Sequence, residues 1–401
     1  MTRYWIWLSK VIGTNSSKFF RIIKEFGSAK GFFEASPDVR INAVGLTPAE
    51  QRRMKSVGMD EILEIIKLCE QNNIQIIPFD SPKYPDRLRN IFDPPPVIYC
   101  RGELPDFDDE VVLAVVGPRK PSEFGRKAAF SLSRRLADSG CIIISGGALG
   151  VDTCAHTGAL SCNGKTVAVL GCGICSDYLK QNRALREKIA VNGCLVSEFP
   201  PMTPARPELF PIRNRIIAAL SLGTIVIEAS LKSGALITAN LANEQGRDVF
   251  VVPGSPSLPQ YEGSNRLLFD GAKPVLSALD VLNEYVDLYP NKINLQKAVK
   301  TKSVLDDGDR VKNNAKSHTV KESITAIDKT VDASIQKLSD HAKTVYACFN
   351  GDPLNADHIV AKTDLKIGDV FSSLFELELS GLIKAIPGGR YVLDNQNTTQ
   401  G

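Results

Sequence analysis

A doubly wound α/β fold with a parallel sheet is predicted by two features of the sequence. Between residues 111 and 252, short segments rich in Val and Ile are apolar nearly throughout, as in strands buried on both faces of a parallel sheet. The predicted strands are Val111–Val116, Cys141–Ser145, Thr166–Leu170, Cys194–Glu198, Thr224–Ala229 and Asp248–Val252. Helical patterns alternate with them at Ser122–Asp138, Asp152–Ser161, Asn182–Val191, Arg213–Leu220 and Ser233–Glu244.

Residues 1–75 are predicted to form a helical domain of the SAM or helix-hairpin-helix type. Apolar residues with helical spacing occur at Phe19, Ile22, Ile23 and Phe26 and again at Ile62, Ile65, Ile66 and Cys69. Thr47 followed by Pro48 predicts a capped helix start. Residues 76–110 are rich in proline and predict a connector with short strands, which leads to the α/β domain at 111–290.

The chain after the α/β domain changes composition. Residues 291–336 contain no aromatic residue and are rich in polar residues, which predicts a flexible linker because little apolar surface can be buried. Residues 337–395 then predict a winged helix. Its predicted elements are the helices Lys337–Cys348, Asn355–Thr363 and Ile367–Ser380 and a hairpin turning at Gly388-Gly389.

Composition is that of an ordinary globular protein, with 43% hydrophobic and 23% charged residues. The longest apolar stretches are far too short to cross a membrane, and no signal peptide is recognisable, so we expect a cytoplasmic chain whose nine cysteines are reduced. The net charge of +3 does not by itself indicate nucleic acid. Basic residues are nevertheless concentrated between 119 and 135, where only Glu123 opposes them.

Five loops that follow predicted strands indicate an anion site, because ligands of open α/β sheets bind at the carboxyl ends of the strands. Glycines in the second loop would let backbone N–H groups approach an anion at a helix N-terminus. The candidate residues are Gly117, Arg119, Lys120, Ser145, Gly146, Gly147, Arg213, Arg215, Lys232, Ser233 and Thr238. The alternative for any single loop is that its glycines only form tight turns and that Ser233 only caps a helix.

Catalytic and cofactor signatures do not stand out. The first loop has no G-x-G-x-x-G and the chain has no P-loop, which argues against bound NAD and against ATP hydrolysis. Cys172 and Cys175 form a single C-x-x-C pair, which is more typical of a turn than of zinc. His156 is better explained as a packed or surface histidine than as a base. We therefore predict no catalysis, no cofactor and no metal.

Several motifs taken together resemble the DNA processing protein A family (DprA, also called Smf). The motifs are Val115-Val-Gly-Pro-Arg119, Ser145-Gly-Gly-Ala-Leu-Gly-Val-Asp152, Phe210-Pro-Ile-Arg-Asn-Arg-Ile-Ile217, Glu228-Ala-Ser-Leu-Lys-Ser-Gly-Ala-Leu-Ile-Thr-Ala239 and Gly246-Arg-Asp-Val-Phe-Val-Val-Pro-Gly254. Tyr84-Pro-Asp-Arg-Leu88 and Pro95-Pro-Val-Ile-Tyr99 also fit. The resemblance is dense over about 100–285 and includes the C-terminal winged helix of many members.

The resemblance implies an extended Rossmann-like domain that binds single-stranded DNA without sequence preference, forms a homodimer and needs no cofactor. It further implies protection of incoming DNA and loading of the RecA recombinase in natural transformation. The family's Gly-x-Arg loop maps to Gly117 and Arg119, its glycine loop to Ser145, Gly146 and Gly147, and a further basic residue to Lys180. Pro118 stands where the family usually has Ser or Thr, so the Gly-x-Arg loop of this chain has one backbone N–H and one hydroxyl fewer.

Two other function classes are alternatives. One is a nucleotide-binding sensor or phosphoribohydrolase of the same Rossmann superfamily, whose mark is P-G-G-x-G-T-x-x-E. The nearest segment here, Ser221-Leu-Gly-Thr-Ile-Val-Ile-Glu228, lacks the double glycine and displaces the carboxylate by one residue. The other is a transcription regulator that uses the winged helix. Residues 337–401 carry more acidic than basic residues, which argues against it.

The winged helix is instead predicted to contact protein or to regulate. A helix that reads a DNA groove usually presents basic side chains, but Ile367–Ser380 contains three acidic residues and no Lys or Arg. Val370, Leu374 and Leu377 have the spacing of core residues.

Overall fold

The computed structural model describes residues 1–14, 16–178, 180–298, 338–349, 354–363, 365–380, 382–386 and 390–393. The chain divides into two compact units, residues 1–310 and 311–401. Most of the predicted linker and the predicted turn at Gly388-Gly389 lie outside the described residues.

The N-terminal part of the first unit is helical, as predicted. Its helices are α1 Thr2–Ile12, α2 Phe19–Phe26, α3 Ala29–Glu34, α4 Pro37–Val44, α5 Pro48–Ser56 and α6 Met59–Gln71. The predicted cap of α5 is present, because the Thr47 side chain accepts a hydrogen bond from Glu50 N at 3.3 Å while the Glu50 side chain accepts from Thr47 N at 2.7 Å. These helices share one hydrophobic core with the adjoining part of the sheet.

A nine-stranded sheet forms the centre of the unit, in the order β1-β2-β6-β5-β4-β3-β7-β8-β9. Its strands are β1 Ile74–Pro78, β2 Val97–Gly102, β3 Val112–Val116, β4 Ile142–Ser145, β5 Thr166–Val169, β6 Cys194–Ser197, β7 Gly223–Val226, β8 Asp248–Val251 and β9 Lys273–Pro274. All pairs from β6 to β9 are parallel, while β2 is antiparallel to both its neighbours. The α/β prediction is confirmed, with an antiparallel edge added by the connector.

Helices cover both faces of this sheet. They are α7 Asp86–Arg89, α8 Glu123–Asp138, α9 Val151–Ser161, α10 Arg183–Asn192, α11 Leu209–Leu220, α12 Gly234–Glu244, α13 Glu262–Phe269, α14 Ala278–Leu282 and α15 Leu295–Ala298. One core joins α8, α9 and α14 to the sheet, and another joins α7 and α11 to it. The chain runs outward from β3 to β6 on one side and from β7 to β9 on the other. A crevice is therefore expected where the strand order reverses, beside the carboxyl end of β3.

The start of the predicted linker is placed too early. Ile293 and Ala298 are buried in the core that contains α8, and Asn294 N donates to Ser139 O at 2.9 Å. Leu295 packs against the same core, so three apolar side chains hold this otherwise polar stretch and the packed chain continues at least to Ala298.

The second unit has the elements of the predicted winged helix. It contains α16 Asp340–Tyr346, α17 Ala356–Thr363 and α18 Ile367–Leu379, with a three-stranded sheet of β10 Leu354–Asn355, β11 Ile383–Ile386 and β12 Arg390–Leu393. The predicted core residues Val370, Leu374 and Leu377 are buried. In the parts of both units that the structure describes, no helix has the length and apolarity to cross a bilayer.

Candidate nucleic-acid interface

A cleft of about 600 Å³ lies at the expected crevice. The loops that follow β3, β4 and β7 and the start of α11 form its walls. Of the predicted site residues and hydroxyls, it is lined by Gly117, Arg119, Lys120, Gly146, Arg213, Ser233 and Thr238. The open α/β topology thus brings together residues that lie more than 100 positions apart in the sequence.

The loop after β3 presents two exposed basic side chains, Arg119 and Lys120, to the cleft. Neither forms an ion pair with a carboxylate in the described part of the chain. Gly117 is required for the close approach of this loop to α9, since a Cβ there would lie 2.6 Å from Val151 Cγ2. The loop is anchored where Val151 N donates to Pro118 O at 3.2 Å. These contacts leave the cations at the loop tip available to a ligand.

Phe210 is a site residue that the sequence analysis quoted within a motif but did not single out. The Arg119 guanidinium carbon lies 5.1 Å from the centre of the Phe210 ring, and the half-buried ring lines the cleft. Tyr178 packs against the same ring with centroids 5.2 Å apart. The sequence did contain a signal for Phe210, since it is an aromatic residue at the end of the loop that follows the fourth predicted strand, on the edge of the sheet where ligands bind. A ring beside an exposed cation is the combination that single-strand binders use for bases and phosphates.

The loop after β4 forms the floor of the cleft. At Gly146, a Cβ would lie 2.5 Å from Arg213 Nη2 and would displace that guanidinium, and Gly147 has a φ of 68°, which favours glycine. The expectation for the Ser145 hydroxyl is wrong. Ser145 is fully buried and its Oγ donates to Val115 O at 2.7 Å, so the hydroxyl ties β4 to β3 instead of facing a ligand.

Arg213 lies at the floor and organises the carbonyl ends of the strands. Its Nη1 donates to Gly146 O at 2.8 Å and also to Val169 O. Burial lowers the pKa of Arg213 and raises that of Asp152, and the attraction between the two groups opposes both shifts. Asp152 Oδ2 also accepts from Ala148 N at 3.2 Å. Arg213 therefore positions the glycine loop, with Asp152 as the opposing charge at the floor.

Arg215 does not line the cleft, so its predicted place on the ligand-binding edge is wrong. It is 4% exposed, donates from Nη2 to Glu198 Oε2 and from Nε to Asp93 Oδ2, each at 2.7 Å, and faces a different cavity. Residues two apart on a helix point in nearly opposite directions. Because α11 begins at Leu209, Arg213 and Arg215 both lie within it and cannot share a face.

Two family models match the chain. The model of DNA recombination-mediator protein A matches residues 75–286, which is more than half of the chain, and the DprA winged helix domain matches residues 330–389. The chain belongs to the DNA recombination-mediator protein A family. The resemblance to DprA and Smf proteins that the motifs carry is thereby confirmed.

Relatives within this family cover the chain at different lengths. Protein Smf of Synechocystis is 35% identical over 398 residues, which span 97% of this chain and 98% of that protein. DNA processing protein DprA of Streptococcus pneumoniae is 42% identical over 202 residues, 50% of this chain and 71% of that protein. The X-ray structure of DprA from Streptococcus pneumoniae superimposes with a TM-score of 0.63 at 32% identity, covering 71% of this chain and 98% of that one.

Three further residues proposed from the sequence differ in their position, because two basic residues lie outside the cleft and one serine lines it. Lys180 is exposed, pairs with Asp177 at 2.9 Å and does not line the cleft. Lys232 is also exposed and does not line it, whereas its neighbour Ser233 does. Ser233 caps α12 as well, since its Oγ accepts from Ala235 N at 3.3 Å. Ser233 therefore has both positions that were considered for it, because it caps α12 and also lines the cleft.

Glu228, the carboxylate considered for the hydrolase alternative, is buried outside the cleft. It accepts hydrogen bonds from Ser122 N at 3.0 Å, from Tyr261 OH at 2.9 Å and from the Ser122 hydroxyl. These bonds hold the carboxylate at the start of α8, and Gly125 leaves room for it, because a Cβ there would lie 2.5 Å from the Glu228 carboxyl. Its oxygens are thus occupied by the fold.

His156 is a packed histidine, which agrees with the sequence interpretation. It is fully buried and its Nδ1 lies 2.8 Å from Thr166 Oγ1, and burial lowers its pKa to about 3. The neutral ring is part of the core that supports β4 and β5.

Acid should destabilise the protein through this residue. The folded pKa lies below the unfolded value of about 6.5, so its stabilising contribution is complete above pH 6.5 and is lost as pH falls toward 3. We expect the free energy of unfolding to fall by about 1.4 kcal/mol per pH unit in this window. Urea titrations at pH 7, 6 and 5 measure it. His156→Gln should remove this slope, whereas His358→Gln, at an exposed histidine, should keep it; equal slopes in both variants would refute the assignment.

Proposed function

We propose that the cleft binds single-stranded DNA without sequence preference, and that the chain protects incoming strands and delivers them to the RecA recombinase in natural transformation, without catalysing a reaction. The observation that carries the proposal is the exposed Arg119 over the Phe210 ring, in a cleft where the strand order reverses. A single strand offers a phosphate and an unpaired base at each step, which match a guanidinium and a ring face. Membership of the family supports the same function.

The geometry also supports binding without chemistry. The cleft is lined by cations, glycines, hydroxyls, apolar side chains and an aromatic ring, and its carboxylate, Asp152, accepts from Ala148 N at 3.2 Å. The carboxylate that a phosphoribohydrolase would need is Glu228, which is engaged by Ser122 and Tyr261. No observation favours the hydrolase or the sensor over the strand-binding function.

Arg119→Ala is expected to make the salt dependence of strand binding less steep. The logarithm of the binding constant falls with the logarithm of salt concentration by about 0.7 per phosphate contact for single strands. Losing one contact should reduce the slope by that amount and weaken binding about equally for different sequences. Titration of labelled single- and double-stranded oligonucleotides at several salt concentrations measures it. Arg52→Ala, at an exposed arginine of α5 outside the cleft, is the control. An unchanged slope for Arg119→Ala would refute this contact.

The proposed function includes formation of a homodimer by two copies of this chain. Phe269 and Leu276 are large exposed apolar residues that precede and follow β9 in the chain, and β9 is the edge strand of the sheet. Exposed apolar residues beside an open sheet edge are typical of an interface. Sedimentation equilibrium of the full chain measures the dimer, and assembly of RecA on single strands coated by a competing binder measures loading.

We propose further that the winged helix contacts a protein with a basic surface. On α18, Ile367, Phe371 and Phe375 are exposed at intervals of four residues and form an apolar stripe. Acidic side chains accompany the stripe, and no Lys or Arg lies within the helix. A partner protein whose surface has apolar residues flanked by basic ones matches this face better than DNA does.

A chain ending at Ala298 should therefore retain its affinity for single strands within about twofold, because the cleft lies wholly in the first unit. Fluorescence anisotropy with labelled oligonucleotides measures the affinity. Circular dichroism must show that the truncated chain is folded. Loss of binding by a folded truncated chain would mean that the winged helix reads DNA.

A further inference from the structure

A second cavity, of about 730 Å³, lies on the other side of α11 from the cleft. It is bounded by α7 with the loop that follows it, by α11, and by the end of α12. Pro211 lines both cavities, so the two meet at the start of α11. This cavity includes Arg87 of the Tyr84–Leu88 motif, a residue for which the strand-binding function has no use.

Three side chains of this cavity have polar atoms without a protein partner. Arg87 is 8% exposed; its Nη2 donates to Glu110 O at 3.1 Å and to the Tyr289 hydroxyl at 2.9 Å, but its Nη1 has no acceptor in the described part of the chain. Arg247 Nε and Gln245 Oε1 are likewise buried and without a partner there. Buried polar atoms of folded proteins are nearly always satisfied, so two unused donors and one unused acceptor on side chains that line one cavity favour a ligand that these side chains turn to meet.

Arg247 is the guanidinium of this cavity that pairs with no carboxylate in the described part of the chain, which favours an anion beside it. Asp93 and Glu198 share Arg215 as their partner, and the Asp108 carboxylate, 3.9 Å from Arg87 Nε, also accepts from the backbone N–H groups of residues 86 and 87. Glu244 is exposed at the rim. Burial lowers the pKa of Arg247, and the positive charge of Arg87 lowers it further. An anion between the two guanidinium groups would remove this repulsion.

We propose that this second cavity binds the phosphate of a nucleotide. Guanidinium groups are the preferred donors to phosphate oxygens, which accounts for Arg87 and Arg247. Gln245 donates to Arg215 O at 3.3 Å, so its free Oε1 can accept from a sugar hydroxyl or a base N–H group. Phe92, 76% exposed at the cavity, offers a ring face to the base.

The nucleotide can come from two sources. A strand held in the cleft could pass Pro211 and place its next nucleotide here, which rests on the proposed function. A free mononucleotide would bind independently of that function. The chemistry at Arg87 and Arg247 is the same in both cases, and oligonucleotide and mononucleotide probes separate them.

The experiment uses the full chain carrying Arg119→Ala, which reduces binding in the cleft. Thymidine 5′-monophosphate, thymidine and inorganic phosphate are titrated by calorimetry, and a fifteen-nucleotide oligothymidine by anisotropy. Arg247→Gln should weaken binding of the monophosphate about tenfold or more. Arg247→Lys keeps the positive charge but loses the planar guanidinium with its paired N–H donors. It should weaken binding of the monophosphate less than Arg247→Gln does. Arg52→Gln is the matched control on α5 and should change nothing. Hydrogen exchange should show protection at residues 90–93 and 241–247 when the monophosphate binds.

Each outcome has one meaning. If Arg247→Gln weakens binding of the oligonucleotide, the cavity holds a nucleotide of the strand; if it weakens binding of the monophosphate alone, the ligand is a free nucleotide. If neither probe is affected by Arg247→Gln in a chain that is folded by circular dichroism, the proposed site is wrong. Failure of the strand-binding function would appear separately, as an oligonucleotide affinity that Arg119→Ala leaves unchanged.

Discussion

Replacing Arg215 with alanine is expected to lower the free energy of unfolding by about 3–5 kcal/mol, the cost of breaking a buried ion pair. The guanidinium lies between Asp93 and Glu198, and all three side chains are buried. Burial by itself would lower the pKa of Arg215, but the two carboxylates hold it above its ordinary value. Without the guanidinium, two carboxylates would remain buried with no counter-charge, which is the physical origin of the loss.

Urea unfolding of Arg215→Ala and of Arg119→Ala measures this difference. Arg119 is exposed, so its replacement should change stability by no more than about 0.5 kcal/mol. The double variant Arg215→Met/Glu198→Leu, which replaces a charge pair by apolar groups, should recover part of the loss. A loss below about 1 kcal/mol in Arg215→Ala would contradict a structural role.

Phe210→Ala is expected to weaken single-strand binding by about 5- to 150-fold, the equivalent of about 1–3 kcal/mol for one stacked base. The ring lines the cleft and lies beneath the Arg119 guanidinium, so its removal takes away a stacking face and releases the cation from its position. The loss should be similar for oligonucleotides of different sequence, because every base has a π face.

Two replacements at the same position separate stacking from simple apolar contact. Phe210→Trp keeps an aromatic face and should retain most of the affinity, whereas Phe210→Leu keeps apolar bulk without the ring and should behave like alanine. Anisotropy titrations at fixed salt measure all three. Wild-type affinity in Phe210→Ala would remove the ring from the binding surface.

The fold could be predicted from the sequence to a large extent, because its signals are local. Each core strand of the α/β domain is an apolar run bounded by turn residues, and the observed bounds of β3 to β8 differ from the predicted ones by at most a few residues. The Thr47 cap and the core positions Val370, Leu374 and Leu377 also follow from spacing alone. The antiparallel edge formed by β1 and β2 was not predicted, since pairing between distant strands leaves no local mark.

The site was predicted in part, and its errors have one cause. Sequence placed Arg119, Gly146 and Arg213 at the carboxyl ends of the strands, where the cleft is found. The sequence does not show which way a side chain points. Ser145 and Arg215 were therefore predicted to contact the ligand, whereas Ser145 bonds to the backbone of β3 and Arg215 pairs with Glu198.

By itself, the sequence determined the family, the order of the elements and the edge of the sheet at which a ligand would bind. These depend on residue type and on neighbours along the chain. Tertiary structure alone decided that Arg213 and Arg215 face different cavities and that Phe210 lies under Arg119. It also decided that Arg87 and Arg247 line one cavity, each with a nitrogen that has no acceptor in the described part of the chain. These facts depend on where α11 begins and on contacts between residues far apart in sequence, and only packing sets such contacts.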